Sequence, residues 1–261
     1  MIAIIKLILS LSTLVIYLFF TLLGQIVIWD DIKKRCYFMK CKKFFSKWLI
    51  KIFNVKLVIE NFEKSFIKGK NYFIISNHQS YLDHLIISSI VPVSILANSN
   101  IKKKKFLWAL TWAGGNLFIE RKKRAEIKKE ISKIKVLLKN KINMLLYPEG
   151  TTSDGITILP FKSSLIQPAI DVGVDFLPVC IKYAYIDGKK CSAKDMNTFV
   201  YHGEMKFFKH LIGILRHSSI TVKVTFLGSI NASKGYSRKI IAGKAYDAIK
   251  GAFAGDNNEN I

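Results

Sequence analysis

Hydrophobic and polar positions change period several times along this chain, and each change marks an element. Leu7–Trp29 comes first, 23 residues without a charge. At helical rise such a run spans roughly 35 Å, enough to cross a bilayer core. A cleaved signal peptide has a shorter apolar run and a small-x-small cleavage site; neither fits, so the run reads as a retained membrane helix. Only Lys6 precedes it, whereas Lys33, Lys34, Arg35, Lys40, Lys42, Lys43, Lys47 and Lys51 follow. That asymmetry predicts a single N-terminal span with the body on the cytoplasmic side of the inner or plasma membrane.

Lys40–Phe53 has an amphipathic pattern. Phe44, Phe45, Trp48, Leu49, Ile52 and Phe53 share one helical face, with Lys42, Lys43, Ser46 and Lys47 on the other. A basic helix with an aromatic face next to a membrane span predicts a place among lipid headgroups. Short apolar runs then alternate with helical patterns. Strands are predicted at Val55–Glu60, Tyr72–Ser76, Val93–Ala97, Leu117–Ile119, Ile142–Tyr147, Phe176–Tyr185 and Ser219–Leu227. Asn61–Asn71 and Asp187–Asn197 read as polar connections. Helices are predicted after Asp83 and at Ala125–Asn140, and Phe106–Ala113 between them is an apolar, aromatic stretch broken by Gly114-Gly115. Two more follow, at Pro160–Asp171 and at Tyr236–Ala252. Residues 253–261 read as a disordered tail. Strands alternating with helices predict an α/β fold with a largely parallel sheet flanked by helices.

Composition adds an anionic partner. Lys and Arg number 41 against 18 acidic residues, a formal charge of +23. Nucleic acid, an acidic membrane surface and an acidic substrate all fit that balance. No nucleic-acid-binding module is recognisable, which leaves the membrane and the substrate. Cys36, Cys41, Cys180 and Cys191 lack zinc-ligand spacing and read as free thiols of a reducing compartment.

The candidate chemistry lies in polar turns at strand ends. The first is Asn77-His-Gln-Ser-Tyr-Leu-Asp83. His78 and Asp83 are five apart, so a regular helix would not bring them together. Across a turn into a helix the carboxylate can fold back onto the imidazole. It then fixes the tautomer and leaves the other ring nitrogen to take a proton. A helix-capping cluster with a satisfied histidine is the plainer reading of the same residues. The second turn is Glu120-Arg121 and the third is Tyr147-Pro-Glu-Gly-Thr-Thr-Ser153. Strand ends of one sense share a sheet edge, so these turns are expected to converge on one cleft.

Together these segments resemble the glycerolipid acyltransferase family, typified by 1-acyl-sn-glycerol-3-phosphate acyltransferase. His78-x4-Asp83 matches its first block and Gly115-Asn-Leu-Phe-Ile-Glu-Arg121 its second. Tyr147-Pro-Glu-Gly-Thr-Thr-Ser153 matches the third, and Leu177-Pro-Val179 the fourth. The four stand in family order, within a resemblance covering about Val55 to Leu227. The first and third blocks are specific, the second moderately so, and the fourth weak by itself.

The resemblance implies a glycerol-phosphate-acyltransferase-like domain over 55–252, behind a membrane anchor and interfacial helix in 1–54. It implies acyl transfer from acyl-coenzyme A or acyl carrier protein to a lysophospholipid hydroxyl, most directly that of 1-acylglycerol-3-phosphate. His78 would be the general base and Asp83 its orienting carboxylate. Neither a metal nor a bound cofactor is implied, and no nucleic acid. His84 has no paired ligand spacing, and Ser80 reads as a turn residue. Arg121 looks like the acceptor-phosphate ligand, a guanidinium able to fork onto two oxygens. Glu149 is expected to orient Arg121 or a substrate hydroxyl. The Gly150–Thr151 amides are expected to face an anion.

Two departures bear on the acceptor. Thr152 stands where phosphatidic-acid-forming members commonly carry arginine, and Lys162 is the nearby residue able to replace that charge. The lysine common shortly after the third strand has no clear counterpart, with Asn98-Ser-Asn100 in that neighbourhood. Another lysolipid such as lyso-ornithine lipid is therefore the alternative acceptor. From other classes come a hydrolase and a non-catalytic, basic, membrane-tethered binding protein. Charge alone supports the last, which leaves the ordered motifs unexplained. Tyr201-His-Gly-Glu204 and His210 resemble a downstream family segment and read as structural.

Overall fold

A computed structural model describes residues 2–66, 69–99, 101, 105–119, 124–201 and 205–255. The uncharged run is helical from Ile2 to Val27 (α1), long and apolar enough to cross a membrane. Asp31–Ile52 forms α2, its first turn capped by the Asp30 carboxylate, which accepts from the Lys33 amide. The two helices form a hairpin: Gly24 lies against Tyr37 and Phe38, and Tyr17 against Phe45. The α1 residues turned inward are Ser10, Tyr17, Thr21 and Gly24, while its Ile, Leu and Phe side chains are largely exposed.

Then follow β1 (Val55–Glu60), α3 (Phe62–Ser65), β2 (Phe73–Ser76), α4 (Leu82–Ile90), β3 (Ser94–Asn98), α5 (Lys105–Ala113), β4 (Leu117–Ile119) and α6 (Arg124–Lys139). The rest comprises β5 (Met144–Leu146), α7 (Gln167–Val172), β6 (Phe176–Ile186), β7 (Lys189–Lys190), α8 (Met196–Phe199), α9 (Phe207–Leu215), β8 (Ile220–Phe226) and α10 (Arg238–Gly255). The sheet order is β1-β8-β6-β2-β5-β3-β4, with β7 beside β6. Pairing is parallel except at β6–β8 and β6–β7. Central β2 is buried on both faces, which is why it reads as an unbroken apolar run. Ile74 and Leu145 enter one core with α4, α8 and α9; Phe73, Ile75, Met144 and Leu146 enter the other with α6, α7 and α10.

The predicted α/β architecture is thus observed, with local corrections. The second helix begins at Asp31, not Lys40, and its faces divide differently. Lys42 and Ser46, expected on the polar face, are buried, and Phe45 and Phe53 pack inward with them. Only Phe44 and Trp48 of the large aromatics stay exposed on that helix. Lys42 Nζ donates to Val93 O (2.7 Å) and Asn116 Oδ1 (2.6 Å), which fastens α2 to the starts of β3 and β4. The helix expected over Pro160–Asp171 is shortened to Gln167–Val172, because the Lys162 amide is bonded to Pro148 O across the loop instead. Short helices occupy the connections at Phe62–Ser65 and Met196–Phe199, and α9 was not predicted at all. The last helix runs to Gly255, with Phe253 packed on the core, so the expected tail is helical over its first three residues, Phe253–Gly255. Residues 256–261 lie outside the described residues, as do Lys102–Lys104 and His202–Glu204.

Candidate active site

Register places the site. Ile75 pairs with Leu146 in the β2–β5 ladder, so both strands end at one level of one edge. The turns that follow meet there, and the His78 ring stacks on Tyr147, centroids 4.1 Å apart and planes 21° from parallel. Asn77 anchors the first turn. Its carboxamide donates to Ile181 O and accepts from Ile181 N, both at 2.8 Å, extending the pairing of β2 with β6.

Asp83 lies in the first turn of α4, where a carboxylate is favoured by the helix dipole. It is fully buried, and donors surround it. Oδ2 accepts from the amides of Gln79 (2.7 Å) and Ser80 (2.8 Å) and meets His78 Nδ1 at 2.9 Å. Oδ1 accepts from the Tyr183 hydroxyl at 2.8 Å. Four hydrogen bonds offset the cost of burying this charge. The same carboxylate therefore gathers the two amides of the turn before α4 and orients the imidazole, while the helix starts at Tyr81 without a side-chain cap. Ser80 is a turn residue, as expected: its amide reaches Asp83, and its hydroxyl accepts weakly from the Leu82 amide at 3.4 Å.

Glu149 has a different place from the one expected. Its Oε1 accepts from the His78 amide (2.6 Å) and its Oε2 from the Leu159 amide (2.9 Å). The carboxylate thus pins the histidine's backbone to the loop after the third block. Burial pushes Glu149 up to about 7, against the pull of those two amides and of His78. The Ser153 amide donates to His78 O at 2.8 Å, a third tie between the turns. Gly150 adopts φ +79°, which only glycine enters without strain. Its amide donates to Tyr147 O, so it closes the turn and does not face an anion as expected.

Thr152 Oγ1 donates to Tyr201 O at 2.7 Å, and the Tyr201 amide donates to Gln79 O, so Thr152 braces the turn. Thr151 and Lys162 are exposed beside it. Arg121 lies outside the described residues, and β4 stands two strands from β5 at the sheet's edge. Gly115 of the second block has φ +66°; a Cβ there would meet Arg35 O at 3.1 Å and Phe38 Cβ at 3.2 Å, so this block is also where α2 rests.

His84 lies beside the pair, its ring 5.0 Å from that of His78 and 5.1 Å from that of Tyr147. Burial first, then the charges of His78 and Lys42, hold its pKa well below the ordinary histidine value, so it stays neutral. Its Nδ1 and the Tyr147 hydroxyl have no hydrogen-bond partner among the described residues. Tyr183 and Tyr147 are the site residues that sequence reasoning missed. Tyr183 lies 100 positions from Asp83, with no spacing to announce it. The signal for Tyr147 was its place at the end of a strand whose neighbour ends in His78.

A mostly parallel sheet presenting a buried-carboxylate–histidine turn, with a Pro-Glu-Gly turn stapled to it, defines an acyltransferase of the glycerolipid type. A family model described as Acyltransferase matches residues 54–182. The lyso-ornithine lipid O-acyltransferase of Brucella abortus is 30% identical over 182 residues, covering 67% of this chain and 68% of that protein. The 1-acyl-sn-glycerol-3-phosphate acyltransferase of Neisseria gonorrhoeae is 28% identical over 183 residues, 70% of this chain and 69% of its own. The crystal structure of the 1-acyl-sn-glycerophosphate (LPA) acyltransferase PlsC from Thermotoga maritima shares the fold, with a TM-score of 0.67, 22% identity and both chains fully covered. The chain belongs to the acyltransferase family and is an enzyme of lipid biosynthesis.

Proposed function

We propose that this enzyme moves an acyl chain from a thioester to the free hydroxyl of a lysophospholipid, with 1-acylglycerol-3-phosphate as acceptor and phosphatidic acid as product. The observation that carries the reading is the 2.9 Å contact between His78 Nδ1 and Asp83 Oδ2. With Nδ1 held by the carboxylate, Nε2 takes the acceptor's proton as its oxygen attacks the thioester carbonyl. Asp83 stabilises the imidazolium that forms. The thiolate leaves as the tetrahedral intermediate collapses, and thiols need little acid assistance. The acceptor attacks directly, so no serine or cysteine nucleophile, metal or bound cofactor enters. Acyl-coenzyme A or acyl carrier protein is the co-substrate. Glu149 and the Ser153 amide hold the histidine's backbone in place, and Arg121 grips the acceptor's phosphate.

A lysolipid without a phosphate beside the reacting hydroxyl, such as a lyso-ornithine lipid, is the second reading. Thr152 favours it, since its hydroxyl is turned to Tyr201 O and brings no charge to the turn. Steady-state kinetics of an Arg121→Ala variant separate the two. A KM raised about tenfold for lysophosphatidic acid, with kcat kept, supports phosphate binding; an unchanged KM refutes it.

The enzyme works at a membrane, with its catalytic domain on the cytoplasmic side. The basic residues that follow α1 support that side through their attraction to the anionic cytoplasmic leaflet. The packing of α1 bears on the depth of attachment. The Lys6 ammonium donates to His217 O (2.7 Å) near its start, and Gly24 lies against α2 near its end. The helix is therefore held along the domain at both ends, an arrangement that favours lying in one leaflet over crossing two. Cysteine-reactivity mapping in sealed vesicles tests this: labelling of residue 2 and residue 27 from the same side supports the one-leaflet placement, and labelling from opposite sides refutes it.

A further inference from the structure

The helix absent from sequence expectation carries information about membrane contact. Helix α9 packs against α1 on one side, and Ala3 and Leu7 of α1 join the core cluster that holds Ile214 and Leu215. On its outer side Phe208 is 58% exposed and Ile212 38%, one helical turn apart. Lys206, Lys209 and Arg216 around them are exposed as well. An exposed aromatic and an isoleucine ringed by cations form the pattern of a helix lying in a bilayer interface.

Its inner side touches the catalytic turn. Tyr81, between His78 and Asp83 in sequence, shares a hydrogen bond with His210 Nδ1 at 3.1 Å and packs on Phe207 and Tyr201. Tyr201 is also the residue that joins Gln79 to Thr152. One nine-residue helix thus carries the exposed Phe208 and Ile212 on one side and touches the loops that hold His78 with the other.

We infer that α9 is a second membrane-contact element, seating Phe208 and Ile212 among the lipids of an anionic bilayer and tying that contact to the catalytic turn through His210 and Tyr81. The inference rests on the membrane attachment proposed above. Its occupant is the bilayer, because α9 is packed on α1, whose outer side chains are exposed and apolar, and the charge around the pair complements anionic headgroups. The arrangement brings the cleft to the plane where a lysolipid's hydroxyl lies, so substrate enters without leaving the membrane.

The test uses the full chain with phosphatidylglycerol–phosphatidylcholine vesicles in which the phosphatidylcholine carries brominated acyl chains. Wild-type protein must first float with the vesicles; protein that stays unbound overturns the membrane attachment and this inference together. With the wild type bound, Phe208→Trp is expected to show tryptophan quenching beyond that of the wild type. Equal quenching overturns the contact of α9 alone and leaves the attachment through α1 standing. A Phe208→Ser/Ile212→Ser double variant is then assayed on vesicle-borne long-chain lysolipid and on a short-chain lysolipid below its micellar concentration. A loss of about tenfold in kcat/KM on vesicles alone supports the tie to the catalytic turn. Equal losses on both substrates, or no loss on either, overturn it.

Discussion

Tyr183 donates its hydroxyl proton to Asp83 Oδ1 at 2.8 Å, while the carboxylate's other oxygen faces His78. The phenol is buried and stacked on Phe199, ring centroids 5.0 Å apart, so it has little freedom to let go. Burial, then the Asp83 charge, hold the phenol in its protonated, donating form. Tyr183 is therefore a positioning residue that sets the plane of the carboxylate. Tyr183→Phe is expected to lower kcat about tenfold or more with KM little changed, and to cost about 1–3 kcal/mol of stability from the unsatisfied oxygen. Steady-state kinetics and denaturant unfolding read the two effects. A kcat equal to wild type would show that the remaining three donors suffice.

Glu149 gives the protein a pH dependence of its own. Its folded pKa of about 7 lies above the ordinary carboxylate value of 4.5, so the folded state holds the proton more tightly than the unfolded chain. Its contribution is most favourable below about 4.5 and is lost as pH rises through about 7. The loss is on the order of 3 kcal/mol. Glu149→Gln removes the titration and leaves one of the His78 and Leu159 amides without its acceptor. Thermal melts across pH 5–8 are expected to lose part of their pH slope in the variant, with a lower melting point at pH 5. An unaltered slope would contradict the shift.

Gly115 joins the second block to α2. Gly115→Ala meets both a left-handed backbone and contacts at 3.1 and 3.2 Å with Arg35 O and Phe38 Cβ. The expected cost is about 1–3 kcal/mol, measured by unfolding. A neutral effect would mean that α2 shifts freely on the domain.

Local signals were legible in the sequence, and contacts between distant segments were not. His78 and Asp83 lie within one turn, so their spacing sufficed. The central strands, buried on both faces, announced themselves as short apolar runs. Helix α2 starts nine residues before the amphipathic pattern at Lys40, and Asp30, directly after the apolar run, is the capping signal that marks its start. Its lysines were assigned to water by type, yet Lys42 is buried where the Val93 carbonyl and Asn116 satisfy it. The motif around Glu149 suggests a ligand-orienting role, but its partners are two backbone amides that no side-chain pattern encodes. Pro160 offered a helix start, but the Lys162 amide is bonded to Pro148 O and the helix starts instead at Gln167 with Pro168 in its first turn. Helix α9 is amphipathic, with Phe207, Phe208, Leu211, Ile212, Ile214 and Leu215 on one side and Lys209 and His210 on the other, so its period was legible at Phe207–Leu215 and the expected elements omit it.

The central claim is that His78 draws the proton from a lysolipid hydroxyl, and thiol release from acyl-coenzyme A measures it most directly. Purified enzyme in detergent is assayed with lysophosphatidic acid, with other lysolipids and without acceptor, beside folded His78→Ala. The account predicts release that requires a lysolipid and falls about 10²–10⁴-fold in the variant. Dependence on lysophosphatidic acid identifies the phosphate-bearing acceptor, and dependence on another lysolipid identifies the second reading. Release that needs no acceptor and is lost in the variant would make the enzyme a hydrolase. Lysolipid-dependent release that survives in His78→Ala would contradict the account outright.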